Sequence, residues 1–243
     1  MANPTAAMLV IGDEILSGRT RDSNMHHLAG QLTLAGIDLK EARVVSDDHA
    51  SIVSAVQALS SAYDHVFTSG GIGPTHDDIT AEAVAAAFGA PIGVRDDALA
   101  ILQAHYDRQG TELNDARRRM ARVPDGADLI DNPISAAPGF RLGNVHVMAG
   151  VPAIFEAMVA SVLPTLTGGA PLRSATLRIP RGEGDIAAAL GALAEERPEL
   201  SFGSYPFIQN GLYGTNIVIR SSDTAALTDA VDRLTRLFPD AEG

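Results

Sequence analysis

The segment Thr68–Thr80, TSGGIGPTHDDIT, constrains the chain more than any other. A short apolar run, His65 to Thr68, leads into it. The alanine-rich stretch Ile79 to Phe88, closed by Gly89, leads out of it. A buried strand that turns through consecutive glycines into a helix is a βα unit, and such units build parallel sheets. Glycines also let backbone N–H groups approach a ligand and adopt positive φ. The opening of the helix adds unpaired N–H groups and the positive end of a dipole. The combination suits a phosphate or another oxyanion. A bare Gly-Gly-x-Gly divides about evenly between a ligand cradle and a tight turn, but its place at the carboxyl edge of a parallel sheet favours binding.

The rest of the chain supplies further units. Met8 to Ile11 is a short apolar run followed at once by Gly12-Asp13, a strand feeding a loop. Asp22 or Ser23 can cap a helix carrying Met25, Leu28 and Leu32 that stops at Gly36. A second strand is predicted near Ala42 to Val45. Ala50 to Ala62 carries Ile52, Val53, Val56 and Leu59 at helical spacing. Arg95 to Gln109 and Asn114 to Ala121 read as two more helices. Pro133 to Gly150 reads as loops around hairpin-like strands, and Ala153 to Leu163 as a helix. The expectation is an α/β fold with a mostly parallel sheet covered on both faces.

Pro164 to Pro171, rich in Thr, Gly and Pro, reads as a linker. Beyond it, Ala175 to Ile179, Asp185 to Glu196, Ser201 to Ile208, Asn216 to Arg220 and Thr224 to Phe238 spell β-α-β-β-α. The final helix places Leu227, Val231, Leu234 and Leu237 or Phe238 on one side. The expected division is therefore a domain over 1–166 and a small α+β domain over 172–243.

Composition bounds what such a chain can serve. Of 243 residues, 46% are hydrophobic and 20% charged, enough apolar content for a sizeable core. The net charge of −12 argues against a nucleic-acid or anionic-membrane partner, which would need clustered Lys and Arg. A small phosphorylated ligand is compatible with it, since backbone amides and a bound cation can hold one. The absence of cysteine excludes disulfides, thiolate catalysis and Cys-ligated zinc, and fits a reducing cytosol. The amino terminus lacks a basic n-region, and no run approaches the ~18 apolar residues of a membrane span. A cytoplasmic location is expected.

Three acidic pairs follow three successive strands: Asp13-Glu14, Asp47-Asp48 and Asp77-Asp78. Each has a plain structural reading. Asp13 and Glu14 suit a surface turn, Asp48 suits an N-cap, and one of Asp77 and Asp78 suits a cap for the helix beginning at Ile79. Capping needs only one of a pair, however, and the three pairs can converge at one sheet edge. Carboxylates beside an anion loop suit a hard divalent cation that bridges to phosphate oxygens. Asp13, Asp47, Asp77 and Asp78 are the candidate metal ligands. The histidines form no cluster: His26 and His27 point to different sides of a helix, and His49, His65, His105 and His146 lack ligand spacing. His76 reads as a polar loop residue.

GDEILSG followed by Asn24, VVSDD, TSGGIGPTHDDIT, and NPISAAPGF with VHVMAGVPAIFEAM resemble the ordered motif set of the MoaB/Mog superfamily, nearest its CinA amino-terminal type. The likeness covers roughly Met8 to Leu163, and the C-terminal unit resembles the small domain that follows in that branch. It implies a three-layer α/β fold and a ligand of the molybdopterin or adenosine-nucleotide class. The ligand-contacting positions it implies are Gly12, Asp13, Glu14, Ser17, Asn24, Thr68, Ser69, Gly70, Gly71, Gly73, Pro74, Thr75, Thr80, Ser135, Pro138, Gly139, Gly150 and Pro152. In molybdopterin-handling members, aspartates at the positions of Asp47 and Asp78 serve Mg²⁺-dependent adenylylation of molybdopterin. Some CinA-type domains instead resemble pyrophosphatases acting on ADP-ribose or FAD with a divalent metal (Mg²⁺, Mn²⁺ or Co²⁺) and K⁺. Both chemistries work on an adenylyl phosphate beside a metal, and Asp47 and Asp78 are the catalytic candidates.

The pyrophosphatase is the leading expectation. A non-catalytic pterin or nucleotide carrier, or a molybdopterin adenylyltransferase, are the alternatives. The superfamily also implies a homo-oligomer, although no apolar stripe specifies one. Two departures stand out. Where the branch usually reads PGPPxE, this chain has Ala149-Gly150-Val151-Pro152-Ala153-Ile154-Phe155, with Glu156 one place late. Full-length CinA-type proteins also continue into a pyridine-nucleotide amidase domain. Only about half a domain follows Leu163, so nicotinamide-nucleotide deamidation is expected to be absent. The C-terminal unit lacks a GXXG loop flanked by basic residues. It reads as an interaction or lid domain, with Tyr205, Asn210 and Tyr213 as its groups able to reach a ligand.

Overall fold

In the computed structural model the described residues are 2–209 and 211–242, without the side chain of Leu212. Asn210 therefore lies outside the described residues. The chain divides into two compact units, Met1–Gly169 and Ala170–Gly243.

Strand β1 (Thr5–Ile11) shows why the first unit has layers. Ala7, Leu9 and Ile11 enter one core, while Ala6, Met8 and Val10 enter another. Successive side chains of a strand point to opposite faces, so a run that is apolar at every position must be covered twice. The elements after it are α1 (Asp13–Leu16), α2 (Asn24–Ala35), β2 (Asp38–Val45), α3 (His49–Ala62), β3 (His65–Ser69) and α4 (Thr80–Phe88). They are followed by β4 (Ile92–Val94), α5 (Asp96–Arg108), α6 (Asp115–Arg118), β5 (Arg122–Pro124) and β6 (Asp128–Ile130). The unit is completed by β7 (Gly139–Leu142), β8 (Val145–Met148) and α7 (Pro152–Val162).

The six-stranded sheet has the order β2-β1-β3-β8-β7-β6. The first four strands run parallel, whereas β7 and β6 join as an antiparallel extension. Helices α3, α4 and α5 cover one face through Val56, Val84 and Leu102. Helices α2 and α7 cover the other through Leu28, Leu32, Phe155 and Met158. The result is the expected three-layer α/β arrangement. The sequence reading missed β4, β5 and β6, each only three residues long and too short to display a period of two.

Gly36 and Gly89 adopt left-handed conformations that end α2 and α4 (φ 69° and 65°), as their places in the sequence predict. At the start of α2, Ser23 occupies the N-cap position without a side-chain bond. Asp22 does that work, accepting from the N–H groups of Asn24 and Met25 at 3.3 and 3.1 Å.

The second unit comprises β9 (Arg173–Ile179), α8 (Glu183–Glu196), β10 (Ser201–Gln209), β11 (Leu212–Ser221) and α9 (Thr224–Leu237). Its three strands form an antiparallel sheet in the order β10-β11-β9. Leu177, Ile179, Ile217 and Ile219 meet Ile186 and Leu193 of α8 and Leu227 and Leu234 of α9 in a separate core. Asp223 caps α9, accepting from the N–H groups of Ala225 and Ala226. Phe238 completes the apolar stripe, whereas Leu237 is 51% exposed. Among the described residues no helix is long and apolar enough to cross a membrane.

Candidate functional site

The parallel strands β1, β2, β3 and β8 end at one edge of the sheet, so the loops that follow them are neighbours in space. Backbone bonds stitch these loops together. Gly12 donates its N–H to the Val45 carbonyl at 3.1 Å, and Gly70 donates to the Met148 carbonyl at 3.2 Å. The N–H of Asp13 donates to the Asp47 carboxylate at 2.9 Å, which joins the first two acidic pairs.

The glycine loop has the conformation its composition suggests at two positions. Gly70 and Gly71 have φ of 109° and 70°. A Cβ on Gly70 would stand 2.2 Å from the Ile11 carbonyl oxygen, and one on Gly71 would stand 2.1 Å from the Thr80 hydroxyl. Thr80, the first residue of α4, donates its hydroxyl to the Gly70 carbonyl at 3.0 Å and its N–H to the Gly71 carbonyl at 3.0 Å. The helix start is thus sewn to the loop that precedes it. Gly73 needs no positive φ, but a Cβ there would press on the Asp78 carboxylate at 2.6 Å.

Several of the residues expected to touch a ligand are buried in this structure. Asn24 is buried and donates from Nδ2 to the Ser69 hydroxyl and the Gly150 carbonyl, both at 2.8 Å. Thr68, Ser69 and Thr80 are likewise buried. Ser17 donates to the Glu14 carbonyl at 3.3 Å and holds α1 in shape.

The cap expected from Asp77 or Asp78 does not form. Ile79 occupies the N-cap position of α4, with no side-chain bond. The Asp78 carboxylate turns back to accept from the N–H and hydroxyl of Thr75, at 2.8 and 2.5 Å. Asp77 and His76 are exposed beside each other, 3.8 Å apart. Asp48, by contrast, caps α3 by accepting from the Ser51 N–H at 2.8 Å.

These loops surround a cavity of about 510 Å³. Of the expected site residues, Glu14, Asp47, Gly70, Gly71, Gly73, Pro74, Asp77, Asp78, Ser135, Gly150 and Pro152 line it. Gly12, Asp13, Thr75, Pro138 and Gly139 do not. Gly139 lies within β7, where a Cβ would approach the Val147 carbonyl oxygen to 2.3 Å. The sequence reading missed an apolar wall of Ile11, Ile72, Met120, Val151 and Ile154. Nothing in their local pattern separates them from core residues. It also missed Asn132, the first residue of the NPISAAPGF motif. Asn132 donates to the Ser135 hydroxyl and the Ala137 carbonyl, and accepts from the N–H groups of Ile134 and Ser135. It thereby shapes the loop that presents Ser135.

No Lys or Arg lines this cavity among the described residues. Burial holds the Asp47 carboxyl above the usual carboxylate range, and the nearby charges of Asp13, Glu14 and Asp77 add to that effect against the lowering pull of the Asp13 N–H. Among the described residues no three acidic or histidine side chains are grouped so as to hold a metal ion by themselves. A metal bound here would complete its shell with water, backbone carbonyl or ligand oxygens.

Fold and site together define a three-layer α/β domain with a glycine-loop cavity at the carboxyl edge of its sheet. Residues 7–168 match the family described as "Probable molybdopterin binding domain", and residues 171–242 match "FAD synthase, middle domain". The chain belongs to the molybdopterin-binding domain family, and its first unit is a MoaB/Mog-like domain of the CinA type. A CinA-like protein of Citrifermentans bemidjiense is 43% identical over 167 residues, 67% of this chain and 40% of that protein. A protein of Caenorhabditis elegans named "Probable FAD synthase" is 32% identical over 262 residues, 96% of this chain and 50% of that protein. The chain thus spans about half the length of these relatives. The crystal structure of CinA from Thermoplasma acidophilum, described as of unknown function, aligns with a TM-score of 0.62 at 33% identity. The alignment covers 67% of this chain and 97% of that one.

Proposed function

We propose that the protein binds a nucleotide carrying a pyrophosphate, of the ADP-ribose or FAD class, and hydrolyses it with a divalent metal. One observation carries this reading. The glycine loop and the carboxylates Glu14, Asp47 and Asp77 face a single cavity of about 510 Å³. The match of residues 171–242 to the FAD synthase middle domain favours an adenylyl-bearing ligand.

In this mechanism Gly71 and Gly73 would present backbone N–H groups to the phosphates, with the N-terminus of α4 behind them. The donor set suits a hard cation: Asp47 and Asp77 offer carboxylate oxygens in a cavity with no basic side chain. When bound, Mg²⁺, Mn²⁺ or Co²⁺ would neutralise phosphate charge and lower the pKa of a coordinated water. K⁺ would be a second ion in this reading. Asp47 would serve the divalent cation through the oxygen that does not accept from the Asp13 N–H. The apolar wall of Ile72, Val151 and Ile154 would receive the planar ring and exclude water from it.

The test is direct. Purified protein is incubated with ADP-ribose or FAD, each of the three metals and K⁺, and AMP release is measured. Turnover supports the hydrolase. Saturable binding without product would assign a carrier, and AMP transfer to molybdopterin from ATP would assign an adenylyltransferase. A protein that neither binds nor turns over these ligands would reject the reading.

A further inference from the structure

We propose that Arg119 supplies the fixed positive charge for a phosphate held at the glycine loop. This inference rests on the reading of that loop as an anion site. The main cavity presents Glu14, Asp47, Asp77 and Asp78 and, among its described lining, no basic residue. Backbone amides supply partial charges only, and a metal on the acidic side would leave the opposite side of the ligand without a counter-charge.

A second cavity, of about 20 Å³, lies against the same loop and shares Gly71, Gly73 and Asp78 with the first. Arg119 and Arg122 line it together with Asp78 and Glu82. Arg122 is ion-paired with Glu82. Arg119 is not paired: it is half-buried, and its Nε is shut off from solvent with no hydrogen-bond partner. No carboxylate stands within ion-pair distance of it among the described residues, although Arg43, Arg95 and Arg141 of the same unit each have one. A guanidinium partly removed from water without a partner is costly, so an unpaired one at the wall of an anion cradle marks where a negative ligand group is missing. The small cavity holds about one water. The phosphate therefore stays on the open side of the loop, and Arg119 acts on it across the loop, selecting an ionised phosphate over a neutral group that the amides alone would accept equally.

The test uses the full chain and titration calorimetry with ADP-ribose at several NaCl concentrations. Arg119→Ala should weaken binding by roughly 10- to 100-fold and flatten its salt dependence, because one salt-screened attraction is gone. Arg119→Lys should keep the salt dependence while recovering part of the affinity. Arg119→Gln, which keeps bulk and hydrogen bonding, covers the case in which the alanine variant does not fold. Affinity and salt dependence equal to wild type in either neutral variant would overturn the role of Arg119 and leave the loop reading standing. A wild-type protein that binds no ADP-ribose would reject the loop reading itself, and this inference with it.

Discussion

The carboxylate of Asp78 takes both hydrogen-bond donors of Thr75, the N–H at 2.8 Å and the hydroxyl at 2.5 Å. This closes the loop between Pro74 and α4 and leaves Asp78 at the wall of the cavity. Asp78→Asn keeps an oxygen that can accept both bonds but removes the charge. Its unfolding free energy should stay within about 0.5 kcal/mol of the wild type, while metal-dependent turnover of ADP-ribose falls at least tenfold. Unchanged turnover would confine Asp78 to bracing the loop.

Gly71 faces the buried hydroxyl of Thr80, and the structure alters what the sequence alone suggests. From sequence, Gly71→Val should harm binding more than folding. With Thr80 Oγ1 2.1 Å from the position of a Cβ, and φ at 70°, the substitution strikes the hydrogen bond that holds α4 to the loop. Stability and binding should fall together, by about 2–4 kcal/mol in stability. Chemical denaturation reads this out, and a variant as stable as wild type would contradict the packing. Thr80→Val, which removes only the hydroxyl, should cost about 1–3 kcal/mol.

His146 of β8 is a second point of measurement, remote from the glycine loop. It stacks on Phe67 with ring centroids 4.9 Å apart, and neither ring nitrogen has a partner. Burial, with smaller contributions from His65 and Arg141, pushes its pKa down from 6.5 to about 3. Between those values the unfolded chain takes up a proton that the folded protein refuses. Stability therefore falls as pH drops from about 6.5 toward 3, at up to about 1.4 kcal/mol per pH unit. His146→Phe should flatten that slope relative to wild type in denaturant titrations at pH 4–7. Parallel pH profiles for the two proteins would count against the buried neutral ring.

The cores of the first unit draw only on residues up to Leu166, and the core of the second begins at Ala175. A protein ending at Gly169 should melt cooperatively on its own. One ending at Leu166 should be less stable, because Gly169 donates to the Gly36 carbonyl at 2.9 Å and Gly168 packs against the Ala35 carbonyl. Circular dichroism melts of the two proteins provide the comparison. A non-cooperative melt of the longer one would show that the division is not one of independent folding.

The sequence by itself determined the alternation of strands and helices. An unbroken apolar run such as Met8–Ile11 must be buried on both faces, and Gly36 and Gly89 end helices for local steric reasons. It also marked the glycine loop, since positive φ at Gly70 and Gly71 is a property of single residues. Tertiary structure decided which side chains meet. Pairing β1 between β2 and β3 sets Asp13 against Asp47 and leaves Asn24, Thr68 and Thr80 buried. It also brought Arg119 to the same loop, 46 positions beyond Gly73 in the chain. A periodicity reports which face a residue occupies within its own element. It carries no information about what another element, tens of residues away, places opposite that face.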